Sequence, residues 1–170
     1  VVVRPTRSMA GSHYPDLLVA FNADPATYEA SNGYIIEEQG KPPGFVLEIA
    51  SRHTGHIDVG EKRDDYAALG ILEYWRFDET GQHHGARLAG DQLVNGVYVP
   101  ILIEELPDGS LQGYSPVLNL NIRWENGQLA WYDPDTGRHI LTYEDQRERA
   151  DAAEARVREL EAELERFRGG

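Results

Sequence analysis

The sequence contains no cysteine, and this absence excludes two kinds of structural support. Without thiols there is neither a disulfide framework nor a thiolate metal site. Any bound metal must therefore use oxygen or imidazole ligands, and the fold must be held by packing. The lack of cysteine also agrees with a cytoplasmic location.

Long apolar runs are absent as well. No segment approaches the roughly 18 consecutive apolar residues of a membrane-crossing helix, and residues 1–11 lack the apolar stretch of a signal peptide. The chain has 170 residues, of which 41% are hydrophobic. This length and composition suit one packed domain, and the chain is too short to contain a large second domain. We therefore expect a soluble, cytoplasmic protein with no membrane partner.

Positive charge is scarce, because 16 Lys and Arg residues face 29 Asp and Glu residues, for a net charge of −13. Affinity for nucleic acid comes mainly from Lys and Arg contacts to phosphates. The composition thus argues against a broad basic surface. It still allows a local acidic site, because a bound divalent cation reverses the local sign of the charge.

The first half of the chain alternates short apolar segments with polar ones. Apolar segments bounded by Pro, Gly or polar clusters are typical of buried strands, and residues 22–32 read as a polar loop. A helical pattern runs from Asp58, a plausible N-cap, to Leu69, with Gly70 at the C′ position. The predicted strands are residues 1–3, 17–21, 34–36, 45–50 and 73–77.

The second half has the pattern of β-hairpins. Three tight-turn dipeptides, Asn95-Gly96, Asp108-Gly109 and Asn126-Gly127, separate short alternating segments. Apolar residues recur at every second position over 118–124 and again at 129 and 131. We predict antiparallel sheet here, ending at the loop 133–137.

From about residue 142 the composition shifts to Glu, Arg and Ala, and apolar residues recur at intervals of three and four. This is the a and d spacing of a coiled coil. We predict a domain over residues 1–140 and a coiled-coil helix over 141–170 that forms a homodimer; the alternative is a helix packed against its own domain. The predicted seam is Ala150, Ala153, Val157, Leu160, Leu164 and Phe167.

Two carboxylates occupy unusual places in the predicted strands. Asp16 follows Pro15 at the mouth of one strand, and Glu48 lies inside the apolar strand 45–50. Burying ionised carboxylates costs several kcal/mol unless a cation or hydrogen bonds compensate. A divalent metal would relieve the repulsion, and oxygen ligands suit Mg²⁺ or Mn²⁺. The backbone carbonyl of Ile49 is a candidate third ligand.

Lys62 lies in the predicted helix, and Lys41 is the only other lysine in the sequence. Tyr66 and Leu69 share the Lys62 face at i+4 and i+7 spacing. A helical lysine that points at two carboxylates could orient an attacking water or stabilise charge on a phosphodiester, while a metal lowers the pKa of that water. Asp16, Glu48 and Lys62 are therefore the candidate hydrolytic residues.

The motifs around these residues resemble the signature of the Uma-type restriction endonuclease family, within the PD-(D/E)XK nuclease superfamily. They are Pro15-Asp16, the segment 48–51, Lys62 with Tyr66, and the segment 70–75. The resemblance runs from about residue 14 to 78 and more loosely to 140.

The resemblance implies an α/β (α+β) fold with a restriction-endonuclease-like mixed central sheet and flanking helices. It also implies a Mg²⁺- or Mn²⁺-dependent endodeoxyribonuclease acting on DNA. In such nucleases the Asp and the Glu bind the metal and the lysine assists the water; these are Asp16, Glu48 and Lys62 here.

This sequence departs from the family pattern in two places. Ala50 stands where a lysine usually follows the Glu by two residues, so Lys62 would be a migrated lysine. Relatives also generally carry another acidic residue in an N-terminal segment upstream of where this chain begins. A second hypothesis is therefore a catalytically inactive nuclease-fold interaction module that self-associates through its coiled coil. For Glu48 itself, the alternative to metal binding is a buried ion pair with Lys62.

Other polar residues have simpler interpretations. His53 and His56 have i, i+3 spacing but no evident third ligand, so we do not expect a histidine metal site. His13 precedes Asp16 by three residues and is a candidate neighbour of the site. Trp75 is predicted to be core, whereas Glu73 faces either the site or solvent.

Overall fold

The computed structural model describes residues 2–50, 59–141 and 143–168. The chain separates into two compact units, residues 1–138 and residues 139–170. The first contains most of the strands and the short helices, and the second consists mainly of one long helix.

The first half of the large unit mixes strands and short helices. The segment 45–50, predicted as a buried strand, forms β4, in which every residue except Ile49 is buried. In order, the elements are β1 (Val3–Arg4), β2 (Leu17–Val19), α1 (Pro25–Ser31), β3 (Tyr34–Ile35), α2 (Ile36–Gln39), β4 (Phe45–Ile49), α3 (Glu61–Ala68) and β5 (Glu73–Phe77).

The second half of the large unit consists of consecutive β-strands joined by turns, as its turn dipeptides predict. Asn95 and Gly96 both have positive φ, 52° and 81°, and so do Asn126 and Gly127, at 52° and 87°. Two consecutive positive φ angles are the geometry of tight hairpin turns. The strands are β6 (Leu88–Val94), β7 (Val97–Pro100), β8 (Ile103–Glu105), β9 (Leu111–Ser115), β10 (Leu120–Glu125), β11 (Gln128–Asp133) and β12 (Arg138–His139).

The strands form one mixed sheet, one antiparallel sheet and a small pair. The mixed sheet has the order β2-β4-β5-β6-β7, with β4 and β5 parallel and the other neighbours antiparallel. The second sheet has the order β12-β11-β10-β9-β8, and β1 pairs with β3 in parallel. This α+β arrangement is the mixed central sheet that the sequence motifs imply.

The mixed sheet buries both of its faces, because side chains alternate along each strand. On one face Val46 and Tyr74 pack against Tyr66 of α3. On the other face Leu47 and Trp75 pack against the second sheet, including Ile122. Trp75 is fully buried, which confirms its predicted core position. Glu48 alternates with Leu47 and therefore lies on the face covered by α3.

The polar loop predicted over residues 22–32 is wrong, because this segment contains α1. The Asp24 side chain accepts a hydrogen bond from the Ala26 N–H, Pro25 occupies the first turn, and Asn32 ends the helix in a left-handed conformation. These are local capping signals. The helix was missed because none of its residues is buried, so the apolar periodicity that predicts helices is absent.

Helix α3 ends as its sequence predicts. Gly70 has φ +77°, its N–H donates to the carbonyl of Ala67, and the Ile71 N–H donates to the carbonyl of Tyr66. This pair of bonds is a Schellman motif, with glycine in the left-handed position. The other end differs, since the described helix begins at Glu61 with Gly60 as its cap. The predicted cap, Asp58, lies outside the described residues.

The long helix α4 spans Tyr143–Arg168 and forms most of the second unit. Two residues of the predicted seam, Val157 and Leu160, expose 53% and 42% of their surface. The side chains of Leu164 and Phe167 lie outside those that the structure describes. Within the described ranges, none of the helices combines the length and apolar character that spanning a membrane would require.

Candidate functional site

Strand pairing brings the two predicted carboxylates side by side. In the antiparallel β2–β4 pair Leu17 lies opposite Leu47, so the same register continued by one residue places Asp16 opposite Glu48. Asp16 is exposed, and its Oδ2 accepts a hydrogen bond from the backbone N–H of Ile49 at 2.7 Å. The Asp16 carboxylate is thereby held at the end of β4.

Glu48 is the buried member of the pair, with 3% of its surface exposed. Its Oε1 accepts a hydrogen bond from the Tyr66 hydroxyl at 2.6 Å, and its Oε2 lies 3.0 Å from the Lys62 ammonium. A buried ionised carboxylate needs such compensation, because desolvation costs several kcal/mol. Lys62 and Tyr66 provide it from one face of α3.

Helix α3 holds Lys62 over the sheet through the buried ring of Tyr66. That ring packs against Tyr74 of β5, with centroids 5.1 Å apart, and against His13 at 5.2 Å. Because Lys62 precedes Tyr66 by one helical turn, anchoring the ring also orients the lysine. The structure thus brings Asp16, Glu48 and Lys62 to one place on the mixed sheet.

A scan against family models supplies the deciding comparison. The model named Uma2, described as "Putative restriction endonuclease", matches residues 3–165. This chain belongs to the Uma2 family. Searches of curated proteins and of solved structures found no match.

Membership in the Uma2 family assigns a restriction-endonuclease-like fold and supports a nuclease role. Restriction-endonuclease-like families usually use divalent metals, and a nuclease family indicates DNA as the class of substrate.

Tyr66 is a site residue that the sequence reasoning placed beside Lys62 but did not include among the candidate site residues. The i+4 spacing from Lys62 was the available signal, since residues so spaced share a helix face. The spacing did not reveal that the hydroxyl reaches Glu48, because this depends on how α3 crosses β4. In this Uma2 chain Tyr66 orients the buried carboxylate.

His13 lies next to the site, as its sequence position suggested. Its backbone N–H and C=O both bond to Val3 at 2.9 Å, and its Nε2 lies 3.7 Å from an oxygen of Asp65. Burial lowers the pKa of the His13 imidazole below its usual value. The charge of Lys62 lowers this pKa further, whereas the charge of Asp65 raises it. The neutral form is therefore favoured, which suits a histidine packed on Tyr66.

Glu73 faces neither the site nor solvent. It is fully buried on the opposite face of the mixed sheet, where it accepts hydrogen bonds from the Trp75 indole, the Ser115 hydroxyl and the Val117 N–H. These bonds join the two sheets. Glu73 is therefore a structural carboxylate: it lies in the same strand as Arg76, three residues before it, but faces away from the site.

The oxygen donors at the site suit a hard divalent cation, since Mg²⁺ and Mn²⁺ prefer carboxylate and carbonyl ligands. Within residues 2–50, 59–141 and 143–168, no group of three or more His, Cys, Asp or Glu side chains is arranged to hold a metal. Among these described residues two carboxylates are present, so any further ligand that they supply would be a backbone oxygen, with water completing the set. His53 and His56 lie outside the described residues.

The backbone of Ile49 is oriented for such a role. Its N–H points toward Asp16, and in an extended strand the N–H and C=O of one residue point to the same side. The Ile49 carbonyl therefore faces the side of β4 on which Asp16 lies. The candidate donor set is Asp16, Glu48 and the Ile49 carbonyl.

Proposed function

We propose that this protein is a Mg²⁺- or Mn²⁺-dependent endodeoxyribonuclease that hydrolyses phosphodiester bonds of DNA. Asp16, Glu48 and the backbone carbonyl of Ile49 would hold the metal. The observation that carries the proposal is the 3.0 Å contact between Lys62 and the buried Glu48, with Asp16 opposite Glu48 in the strand register. The Lys62 ammonium, the buried Glu48 carboxylate and the exposed Asp16 carboxylate are then close together on the mixed sheet.

Each residue has a separate role in this proposal. A bound divalent ion would supply a water of lowered pKa. Lys62 holds the attacking water or stabilises negative charge on the phosphoryl oxygens, because its ammonium is fixed by Glu48. Tyr66 orients Glu48, and the Ile49 N–H orients Asp16.

Replacing Asp16 with asparagine is expected to abolish metal-dependent nicking of supercoiled DNA, because the amide keeps the size of the side chain and removes its charge. Asp108→Asn is the matched control, since Asp108 is also exposed and its side chain also accepts one backbone N–H, from Ser110 at 3.0 Å. The measurement is nicking with Mg²⁺ or Mn²⁺. Equal residual activity in the two variants would point to a contaminating nuclease, and equal loss in both would show that the effect is not specific to Asp16.

We further propose that residues 1–140 form the nuclease-type domain and that the helix over 141–170 joins two copies. Two copies suit the cleavage of two strands. The support is the exposed apolar pair Val157 and Leu160 at a and d spacing, in a helix of 26 residues whose flanks are Glu and Arg.

The double substitution Val157→Glu, Leu160→Glu is expected to convert a dimer to a monomer, because it places charges in the seam. Ala155→Glu is the control, since Ala155 occupies the outward f position of the preceding heptad. Sedimentation velocity of the full chain gives the masses. An unchanged mass in the seam variant, or a monomeric parent chain, would rule out the zipper.

A second candidate function is a catalytically inactive nuclease-fold module that self-associates through the coiled coil. Three observations favour it: the net charge of −13, the limit of two carboxylates at the site within the described ranges, and the Lys62 ammonium, which compensates the buried Glu48 charge without a metal. It predicts no saturable Mn²⁺ binding by calorimetry. The active-enzyme proposal predicts saturable binding that requires Glu48.

A further inference from the structure

A second charged cluster, formed by Arg63, Arg76 and Asp91, lies beside the site and does not include Lys62. Asp91 of β6 exposes 2% of its surface and binds two arginines at once. Arg63 of α3 donates to its Oδ1 at 2.9 Å, and Arg76 of β5 donates to its Oδ2 at 2.8 Å. Two guanidinium groups and one carboxylate leave a net charge of +1 in a chain whose total is −13.

Strand register places Arg76 next to Glu48. In the parallel β4–β5 pair Glu48 is the partner of Arg76, so both side chains lie on the face covered by α3. Asp16 is opposite Glu48 on the other side. Asp16, Glu48 and Arg76 therefore form a row across three neighbouring strands, with both acidic residues at one end and the cation at the other.

An open cleft begins at Arg76 and continues away from the carboxylates. It has a volume of about 500 Å³ and is lined by Arg76, Ala89, Asp91 and the segment 100–103. Register places Arg76 opposite Ala89 and Asp91 opposite Pro100, so the floor of the cleft is the same sheet face that carries Glu48. In the strand order the cleft lies on the β6–β7 side of Arg76, whereas Glu48 lies on its β4 side. A polymer that spans both would therefore pass Arg76.

The hydrogen bonding of Arg76 leaves donors available for a ligand. A guanidinium has five N–H donors in a planar fork that matches the oxygens of a phosphate, and one nitrogen, Nη2, bonds to Asp91. The Nε of Arg76 is buried and has no hydrogen-bond partner among the described residues. An unsatisfied buried donor is destabilising, so this arrangement is not the one that stability alone favours.

We propose that Arg76 binds a backbone phosphate of DNA next to the bond that is cut, with Asp91 and Arg63 as its positioning residues. The inference rests on the proposed function for the identity of the polymer. Asp91 holds the guanidinium in place, and it cannot neutralise both arginines. The surplus positive charge supplies, at one point of an acidic protein, the phosphate contact that DNA binding requires.

The test is the salt dependence of binding to a short fluorescein-labelled DNA duplex, measured by anisotropy on the full chain with Ca²⁺ in place of Mg²⁺. Losing one phosphate contact lowers the slope of log Kd against log salt by about one. Arg76→Met is expected to show this smaller slope and to bind about tenfold more weakly. Arg123→Met is the control, because Arg123 pairs with Glu125 and is similarly buried, 14% exposed against 11% for Arg76.

Ala89→Glu is the second variant, since it adds a negative charge directly opposite Arg76 in the strand register and removes none of the three charged side chains of the cluster. It decides the matter if Arg76→Met does not fold, and it is expected to weaken binding. Unchanged binding in Ala89→Glu, equal slopes for the Arg76 and Arg123 variants, or no binding by the parent chain would each overturn the inference. Parallel assays with Mg²⁺ and Mn²⁺ separate the two proposals: a parent chain that binds DNA through Arg76 but never cuts it removes only the proposed enzyme activity.

Discussion

Replacing Lys62 with methionine is expected to lower metal-dependent DNA cleavage by about 10²–10³-fold, the typical effect of removing one group that stabilises transition-state charge. The ammonium lies 3.0 Å from Oε2 of Glu48, and the side chain is 19% exposed. Methionine keeps the length and helix propensity of the residue and removes only the charge and its donors. The measurement is the rate of plasmid nicking at saturating Mg²⁺ or Mn²⁺.

The sequence offers a matched control, because Lys41 is the only other lysine. Its ammonium donates to the backbone carbonyl of Phe21, on a loop outside the site. Lys41→Met should therefore keep full activity. Similar rates for the two variants would contradict the role of Lys62, and a melting curve for each would show that both are folded.

Glu48→Gln is expected to remove the thermal stabilisation that Mn²⁺ gives to the parent chain. A ligand present at about 100 times its Kd stabilises the folded state by about 2.7 kcal/mol. For a chain of this size this corresponds to a rise of about 5–10 °C in Tm. The amide keeps the shape of Glu48 and can still accept from Tyr66, but it is a poor metal ligand.

The control for this experiment is Glu73→Gln, because Glu73 is equally buried but lies on the opposite face of the mixed sheet. That variant is expected to have a lower Tm in the absence of metal and to keep the Mn²⁺-induced rise. If Mn²⁺ does not stabilise the parent chain, or stabilises Glu48→Gln equally, the inactive interaction module becomes the better interpretation. Calorimetric titration with Mn²⁺ gives the same distinction without heating.

The strands and turns that follow local rules were predictable from the sequence. Gly70 was placed correctly at the end of α3, since few other residues adopt positive φ there at low cost. The two Asn-Gly turns and the buried strand around Glu48 were also correct. Helix α1 was missed because a short exposed helix depends on caps, whereas the prediction relied on apolar periodicity.

Some residues of the candidate site could likewise be predicted from the sequence, and others could not. Asp16, Glu48 and Lys62 could be selected from the sequence, because two carboxylates in apolar strand contexts and one of only two lysines stand out. Asp16 is exposed, however, and only Glu48 is buried. Their roles as metal ligands and water-orienting residue stay predictions. Neither Tyr66 as the hydrogen-bond donor to Glu48 nor the cluster around Asp91 could be selected, since each pairs residues far apart in the chain.

By itself the sequence determined the type of most elements, the buried place of Glu48 and the family, because these depend on patterns within about ten neighbouring residues. Only the tertiary structure decided that Asp16 lies opposite Glu48, that Glu73 joins two sheets and that Arg76 stands beside the carboxylates. The physical reason is register. A shift of one residue between strands turns every side chain to the other face, and that register is set by packing between distant segments.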